Sequence, residues 1–291
     1  QLLVILNISS SQRKGRNEMT QEDIVVVAVD GSAASHNAVR WAANTANKRG
    51  IPLRLASSYT MPQFLYAEGM VPPQELFDDL QSETMEKIDE ARAIAHEVAP
   101  ELKIGHTIAE GSPIDMLLDM SRDVTMIVMG SRGLGGLSGM VMGSVSAAVV
   151  SHASCPVVVV REDNTVDEST KYGPVVVGVD GSDVSQKATE IAFAEAMQVQ
   201  ASLAGLAAAQ QQWEEVEREQ IDMLTERLQP MADAHPEVQV RKVITRDRPV
   251  RALVENSEGA QLLVVGSHGR GGFKGMLLGS TSRALLQSAP C

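Results

Sequence analysis

Two glycine-rich segments carry the residue types best suited to chemistry. One is Gly130-Ser131-Arg132-Gly133, running on to Gly143-Ser144. The other is Gly266-Ser267-His268-Gly269, running on to Gly279-Ser280. Both read G, two residues, G, nine residues, G, then Ser. Each follows a short apolar run, Val124 to Met129 or Leu262 to Val265, that reads as a buried strand, and each leads into a helix start. Glycine in this setting allows positive φ and close approach of the backbone to a ligand. The free amides at the helix N-terminus then face an anion, with the helix dipole behind them. The chemistry this predicts is phosphate binding. Ser144 and Ser280 fit as helix caps and as hydroxyl donors to a phosphate, and Arg132 and His268 can add positive charge. One such loop could equally serve chain reversal, but two with the same long spacing favour a ligand.

A second pair of matching sites lies upstream. Ile24 to Val29 ends in Asp30-Gly31-Ser32, and Val175 to Val179 ends in Asp180-Gly181-Ser182. A carboxylate at a strand end can accept hydrogen bonds from a ribose or help hold Mg²⁺ bridged to phosphates. The alternative is an Asx-turn leading into the next helix. Several enzyme signatures are missing: there is no G-x-x-x-x-G-K-[ST] phosphate loop, no G-x-S-x-G elbow and no kinase motif set. His36, His96, His106, His152, His235 and His268 show no metal-ligand spacing. No residue stands out as a general base for water, and no direct metal site is assigned. The pattern supports binding more than catalysis.

The elements that must position these residues alternate strand and helix, twice over. In the first half, helices are expected over Ala33 to Arg49, Gln74 to Val98, Pro113 to about Arg122, and up to His152. Strands are expected at Ile24 to Val29, Leu53 to Ser58, Leu102 to Ala109, Val124 to Met129 and Val157 to Val160. The long helix shows Leu76, Leu80, Met85, Ile88, Ala91, Ala95 and Val98 on one side. The order then repeats, with helices at Asp183 to Val199, Trp213 to Ala234, Pro249 to Asn256 and up to about Gln287. Tyr59 to Pro73 reads as a loop that is nearly absent from the second copy. This predicts an α/β fold of two tandem, doubly wound domains, each a five-stranded parallel sheet flanked by helices. The expected boundaries are 1–21 for an apolar strand plus linker, 22–162 for the first domain, 163–172 for a linker and 173–291 for the second domain. In such sheets ligands bind beyond the strand carboxyl ends, at the switch point, which places Asp30 and Gly130 at one mouth.

Composition bounds the function. Of the 291 residues 44% are hydrophobic and 3% aromatic, and the formal net charge is −12. So acidic a chain argues against broad nucleic-acid binding, which needs a basic face. It leaves room for a phosphate pocket built from amides. No apolar run is long enough for a membrane span, and Leu2 to Ile8 lacks the features of a signal peptide. Cys155 and Cys291 hold equivalent places in the two copies and read as small buried residues without a disulfide. A cytoplasmic location is expected. The first copy continues past Cys155 into Pro156 to Arg161, a segment without a counterpart after Cys291. The apolar segment at 1–8 matches that missing strand in length and character. It is expected to fill the fifth position of the second sheet, in its own chain or a partner's; the polar stretch behind it can span about 45 Å.

Asp-Gly-Ser after the first strand, joined to G-x2-G-x9-G-S after the fourth, resembles the universal stress protein family in its tandem, nucleotide-binding form. The resemblance covers about 22–162 and 173–291. It implies ATP, with Mg, bound at the mouth of each domain. Asp30 and Asp180 would lie near the nucleoside. Gly130, Ser131, Arg132, Gly133, Gly143 and Ser144 would surround the phosphates of one site. Gly266, Ser267, His268, Gly269, Gly279 and Ser280 would surround those of the other. Backbone near Ser58 and Ala208 would hold adenine. The resemblance further implies a homodimer and a stress-response role in which nucleotide signals through conformation or oligomeric state. A slow Mg-dependent ATPase and a nucleotide-free interaction module remain open as alternatives.

Overall fold

The computed structural model describes residues 2–6, 22–61, 73–133, 142–161, 173–199, 201–208, 213–245, 247–269 and 278–290. Of the loop expected from Tyr59 to Pro73, residues 62–72 lie outside these, as do both linkers and Cys291; Tyr59 itself belongs to the strand Leu53–Tyr59 rather than the loop. The chain divides into two compact units, Ser11–Glu162 and a second made of Gln1–Ser10 with Asp163–Cys291.

The first unit is built on β2 (Glu22–Ala28), β3 (Leu53–Tyr59), β4 (Ile104–Glu110), β5 (Val124–Gly130) and β6 (Pro156–Val160). These are parallel, in the order β4-β3-β2-β5-β6. Val25, Val26 and Val27 are wholly buried, as are Ile127 and Val128. Consecutive burial of this kind needs cover on both faces, and strands of β-branched residues suit it. Helices α1 (Ala33–Arg49) and α2 (Gln74–Val98) pack together, as do α3 (Pro113–Met120) and α4 (Ser144–His152).

Local signals set the helix ends. Ser32 Oγ accepts from Ser35 N–H at the start of α1, and Gly50, at φ 65°, closes its end with a bond back to Ala46. Ser112 caps α3, with Pro113 in its first turn. The buried stripe of α2 is Thr84, Ile88, Ala91, Ile94 and Ala95. That is narrower than the expected face: Leu76, Leu80 and Met85 are half-buried and Val98 is 39% exposed. In the N-terminal half of α2 no residue before Thr84 is buried, so the expected apolar face is only partly used there.

The second unit repeats the plan with β7 (Val175–Gly178), β8 (Leu203–Ala208), β9 (Val240–Thr245) and β10 (Leu262–Gly266). Its helices are α5 (Asp183–Val199), α6 (Trp213–Ala234), α7 (Pro249–Asn256) and α8 (Ser280–Ser288). Strand β1 (Leu2–Leu6) pairs in parallel with β10, Leu2 opposite Leu262 through Leu6 opposite Gly266. The order is β1-β10-β7-β8-β9. In both units the strand order reverses between the first and fourth strands of the repeat, β2 beside β5 and β7 beside β10. The crevice that opens there is bounded by the Asp-Gly-Ser turn on one side and the glycine loop on the other.

Candidate functional site at the strand carboxyl ends

The turn after β2 is an Asx-turn. Asp30 Oδ1 accepts from Ser32 N–H at 2.9 Å and from Ser32 Oγ–H at 2.6 Å. Gly31 sits at φ 84°, a conformation glycine adopts without strain. The turn alternative therefore holds, but it uses only one carboxylate oxygen. The other, Oδ2, meets the glycine loop: a Cβ at Gly133 would overlap it. Position 133 must be glycine for the carboxylate and the loop to come this close.

The loop is held as a frame by backbone bonds. Ser131 N–H donates to Val160 O at 2.8 Å, and Gly143 N–H donates to Ser131 O at 2.8 Å. Ser146 Oγ donates to Gly130 O at 2.8 Å, which ties α4 to the end of β5. Gly130 is packed so closely that a Cβ would lie 2.8 Å from Ala34 Cβ and 2.9 Å from its carbonyl carbon. Gly143, not Ser144, is the N-cap of α4, and no side chain caps that helix. The same holds for Gly279 and α8. The expected serine caps are thus displaced by one residue. Gly143 is held extended by its bond to Ser131, so the helix starts at Ser144 and leaves that hydroxyl exposed.

A cavity of about 730 Å³ opens between turn and loop. Asp30, Ser58, Gly130, Arg132, Gly133, Gly143 and Ser144 line it, as the sequence predicts. Ser131 is buried in the frame, 6% exposed, and is not in the wall. Wall residues that were not foreseen include Lys87 from α2, Met116 and Leu117 from α3, and Val29 and Ala56. The Met116–Leu117 pair shows in sequence only as the apolar side of a short helix. Cys155 is buried away from this wall, and burial pushes its thiol up to about 12, so it is unreactive in the fold.

The second domain repeats the turn, the loop-closing bond and the serine tie of this frame. Asp180 Oδ1 accepts from Ser182 N–H at 3.0 Å and from its Oγ–H at 2.7 Å. Gly279 N–H donates to Ser267 O at 2.7 Å, and Ser282 Oγ donates to Gly266 O at 2.6 Å. A Cβ on Gly269 would reach Asp180 Oδ2 at 2.5 Å. Ser267 is fully buried, with its Oγ 2.9 Å from His268 Nδ1. Ser280 is exposed at the start of α8, and Ala208 ends β8 opposite Thr245.

Both halves of the chain match the model of the universal stress protein family, over residues 22–161 and 171–291. The chain belongs to this family. A universal stress protein of Mycobacterium tuberculosis is 39% identical over 292 residues, which cover 91% of this chain and 92% of its own length. Another from that organism is 37% identical over 283 residues, covering 91% and 93%. Among solved structures, a universal stress protein from Archaeoglobus fulgidus matches with a TM-score of 0.72 at 19% identity, over 93% of this chain and 96% of that one. This last likeness is one of fold. Family membership thus accounts for the tandem α/β architecture and for the recurrence of one frame in both halves.

Among the described residues, no helix is long and apolar enough to cross a membrane. No group of three or more His, Cys, Asp or Glu side chains among them is placed to hold a metal ion.

Proposed function

We propose that the chain is a cytoplasmic, homodimeric stress-response regulator that binds ATP in each domain through the G-x2-G-x9-G-S loop. The observation that carries this reading is the cavity in which Asp30, the loop glycines and the start of α4 converge. Its volume suits a ligand of nucleotide size. Its chemistry is divided in the way a nucleotide is. Val29, Ala56, Met116 and Leu117 offer an apolar slot for a base beside Ser58. The amides following Gly143 and the exposed Ser144 hydroxyl offer donors to phosphate oxygens, favoured by the helix dipole. Asp30 Oδ2 is oriented toward the loop, where a ribose hydroxyl would pass. A Mg²⁺ ion would be held mainly by phosphate oxygens and water, with Asp30 as a single protein ligand. In the second domain Asp180, Ser267, His268, Gly269, Gly279, Ser280 and the backbone near Ala208 would take the matching roles. The bound nucleotide would act by shifting a conformational or oligomeric equilibrium.

The test is made on protein as purified, denatured, with released nucleotide separated by anion exchange. About two ATP per chain supports both sites. About one, lost on mutation of the first loop only, assigns the occupied site. No nucleotide, and no binding when ATP and Mg²⁺ are added back, would overturn the proposal. ADP that accumulates from ATP over time would instead mark a slow hydrolase.

A further inference from the structure

We propose that Lys87 is the charge-reading residue of the first site, leaving Glu83 to bind the anionic part of the nucleotide; this rests on the nucleotide reading above. Lys87 lies on α2, and its stem runs past the Asp-Gly-Ser turn. A Cβ placed on Gly31 would lie 3.4, 3.6 and 3.8 Å from its Cγ, Cδ and Cε. The side chain is 28% exposed and lines the same cavity as Asp30, Gly130 and Gly143. Its Nζ is 2.8 Å from Glu83 Oε1, one helical turn back and outside the cavity wall. Glu83 is 62% exposed, and an exposed i,i+4 pair of this kind is weak and screened by salt. A phosphate in a half-enclosed cavity is a stronger partner for an ammonium than a solvated carboxylate is. Glu83 therefore parks Lys87 beside the site without committing it.

The second domain supplies the contrast. Arg227 occupies the matching place on α6, one residue before the wholly buried Leu228, as Lys87 precedes the wholly buried Ile88. Its guanidinium donates to Gly181 O at 3.3 Å and to Gln186 Oε1 at 3.0 Å. Both bonds lie within the turn and the start of α5, so Arg227 braces the frame. The position opposite the turn holds a movable cation in one domain and a fixed one in the other. The first site should then distinguish ligands by phosphate charge more sharply than the second.

The experiment titrates the full chain with ATP and with adenosine. The second site is closed by Gly269→Val, so that the first is read alone. Lys87→Met should weaken ATP about tenfold, the scale of one charge-assisted hydrogen bond in a partly wet site. It should change adenosine less than twofold, while Lys87→Arg keeps most of the ATP affinity. Glu83→Gln should tighten ATP by about twofold by removing the competitor. With the first site closed by Gly133→Val, Arg227→Met should change the ATP-to-adenosine ratio less than twofold. Equal losses for ATP and adenosine in Lys87→Met, or no loss for either, would overturn the proposal while leaving nucleotide binding intact. Failure of the parent chain to bind ATP or adenosine would overturn the nucleotide reading itself.

Discussion

The two domains share the Asp-Ser turn bonds, the glycine-to-serine bond that closes the loop and the serine tie from the following helix, but they differ in what approaches the turn from the neighbouring helix. In the first, Lys87 passes Gly31 and stops on Glu83. In the second, Arg227 is pinned to Gly181 and Gln186. The loops differ in the same sense. Arg132 lines the first cavity, whereas His268 lies against Ser267 Oγ. The parts that repeat are backbone bonds and glycines, which set where a ligand can lie. The parts that diverge are long polar side chains, which set how strongly it is held. Duplication has kept the frame and freed the tuning.

That contrast can be broken most directly at the loop glycines. Gly133→Val should abolish first-site binding, with a loss of about 100-fold or more from steric overlap with Asp30. Binding stoichiometry should fall by one site while the second is untouched. Equal loss at both sites would mean that the domains do not bind independently.

The next effect is on stability. Gly130→Ala drives a methyl into the Ala34 backbone and should cost about 2–3 kcal/mol in urea denaturation. Gly266→Ala meets the Val184 side chain at 2.9 Å, which can rotate away, and should cost about 1 kcal/mol. A reversed order would refute the reading that Gly130 meets backbone where Gly266 meets mainly a side chain.

The helix cations sharpen the comparison further. Arg227→Met removes two hydrogen bonds that brace a turn and should cost about 1 kcal/mol. Lys87→Met removes only an exposed pair and should stay within about 0.5 kcal/mol.

The smallest effect concerns pH. The Lys87 ammonium holds the Glu83 carboxyl below its ordinary value of 4.5. The folded state therefore binds this proton less readily than the unfolded chain. Any stabilisation from the pair is complete above pH 4.5 and disappears as pH falls through the lowered value. The melting difference between the parent and Glu83→Gln should close over that acid range and be flat above it.

Much of this was legible in the chain because the signals are local. Ser32 before α1 and Gly50 after it bracket a helix whose two ends fall where the sequence predicts. The buried valines of β2 and β5 announce a sheet covered on both faces. The switch-point cavity follows from strand order, and the Asp and glycine motifs mark its rim. Lys87 was not legible. In sequence it is half of an exposed Glu-Lys pair on a long helix, and only the packing of α2 against α1 brings it to Gly31. Ser144 misled for a similar reason. A serine at a helix start reads as a cap, but the bond from Gly143 N–H to Ser131 O shifts the boundary by one residue. Both misses depend on contacts between segments distant in sequence.

The pairing of β1 with β10 makes the second unit discontinuous along the chain, and this bears on how it folds. The first unit is one contiguous stretch of chain and can collapse as it emerges. The other sheet is completed by a strand synthesised well before the one it must join. Loop-closure entropy grows only slowly with separation, so the finished pairing need not be costly. Its timing is the cost: until β10 exists, Leu2 to Leu6 is an apolar strand awaiting its neighbour, open to wrong partners on the ribosome. Moving residues 1–8 behind Pro290 would make that unit contiguous. It should refold with a larger fast phase, and the first domain should keep its own rate.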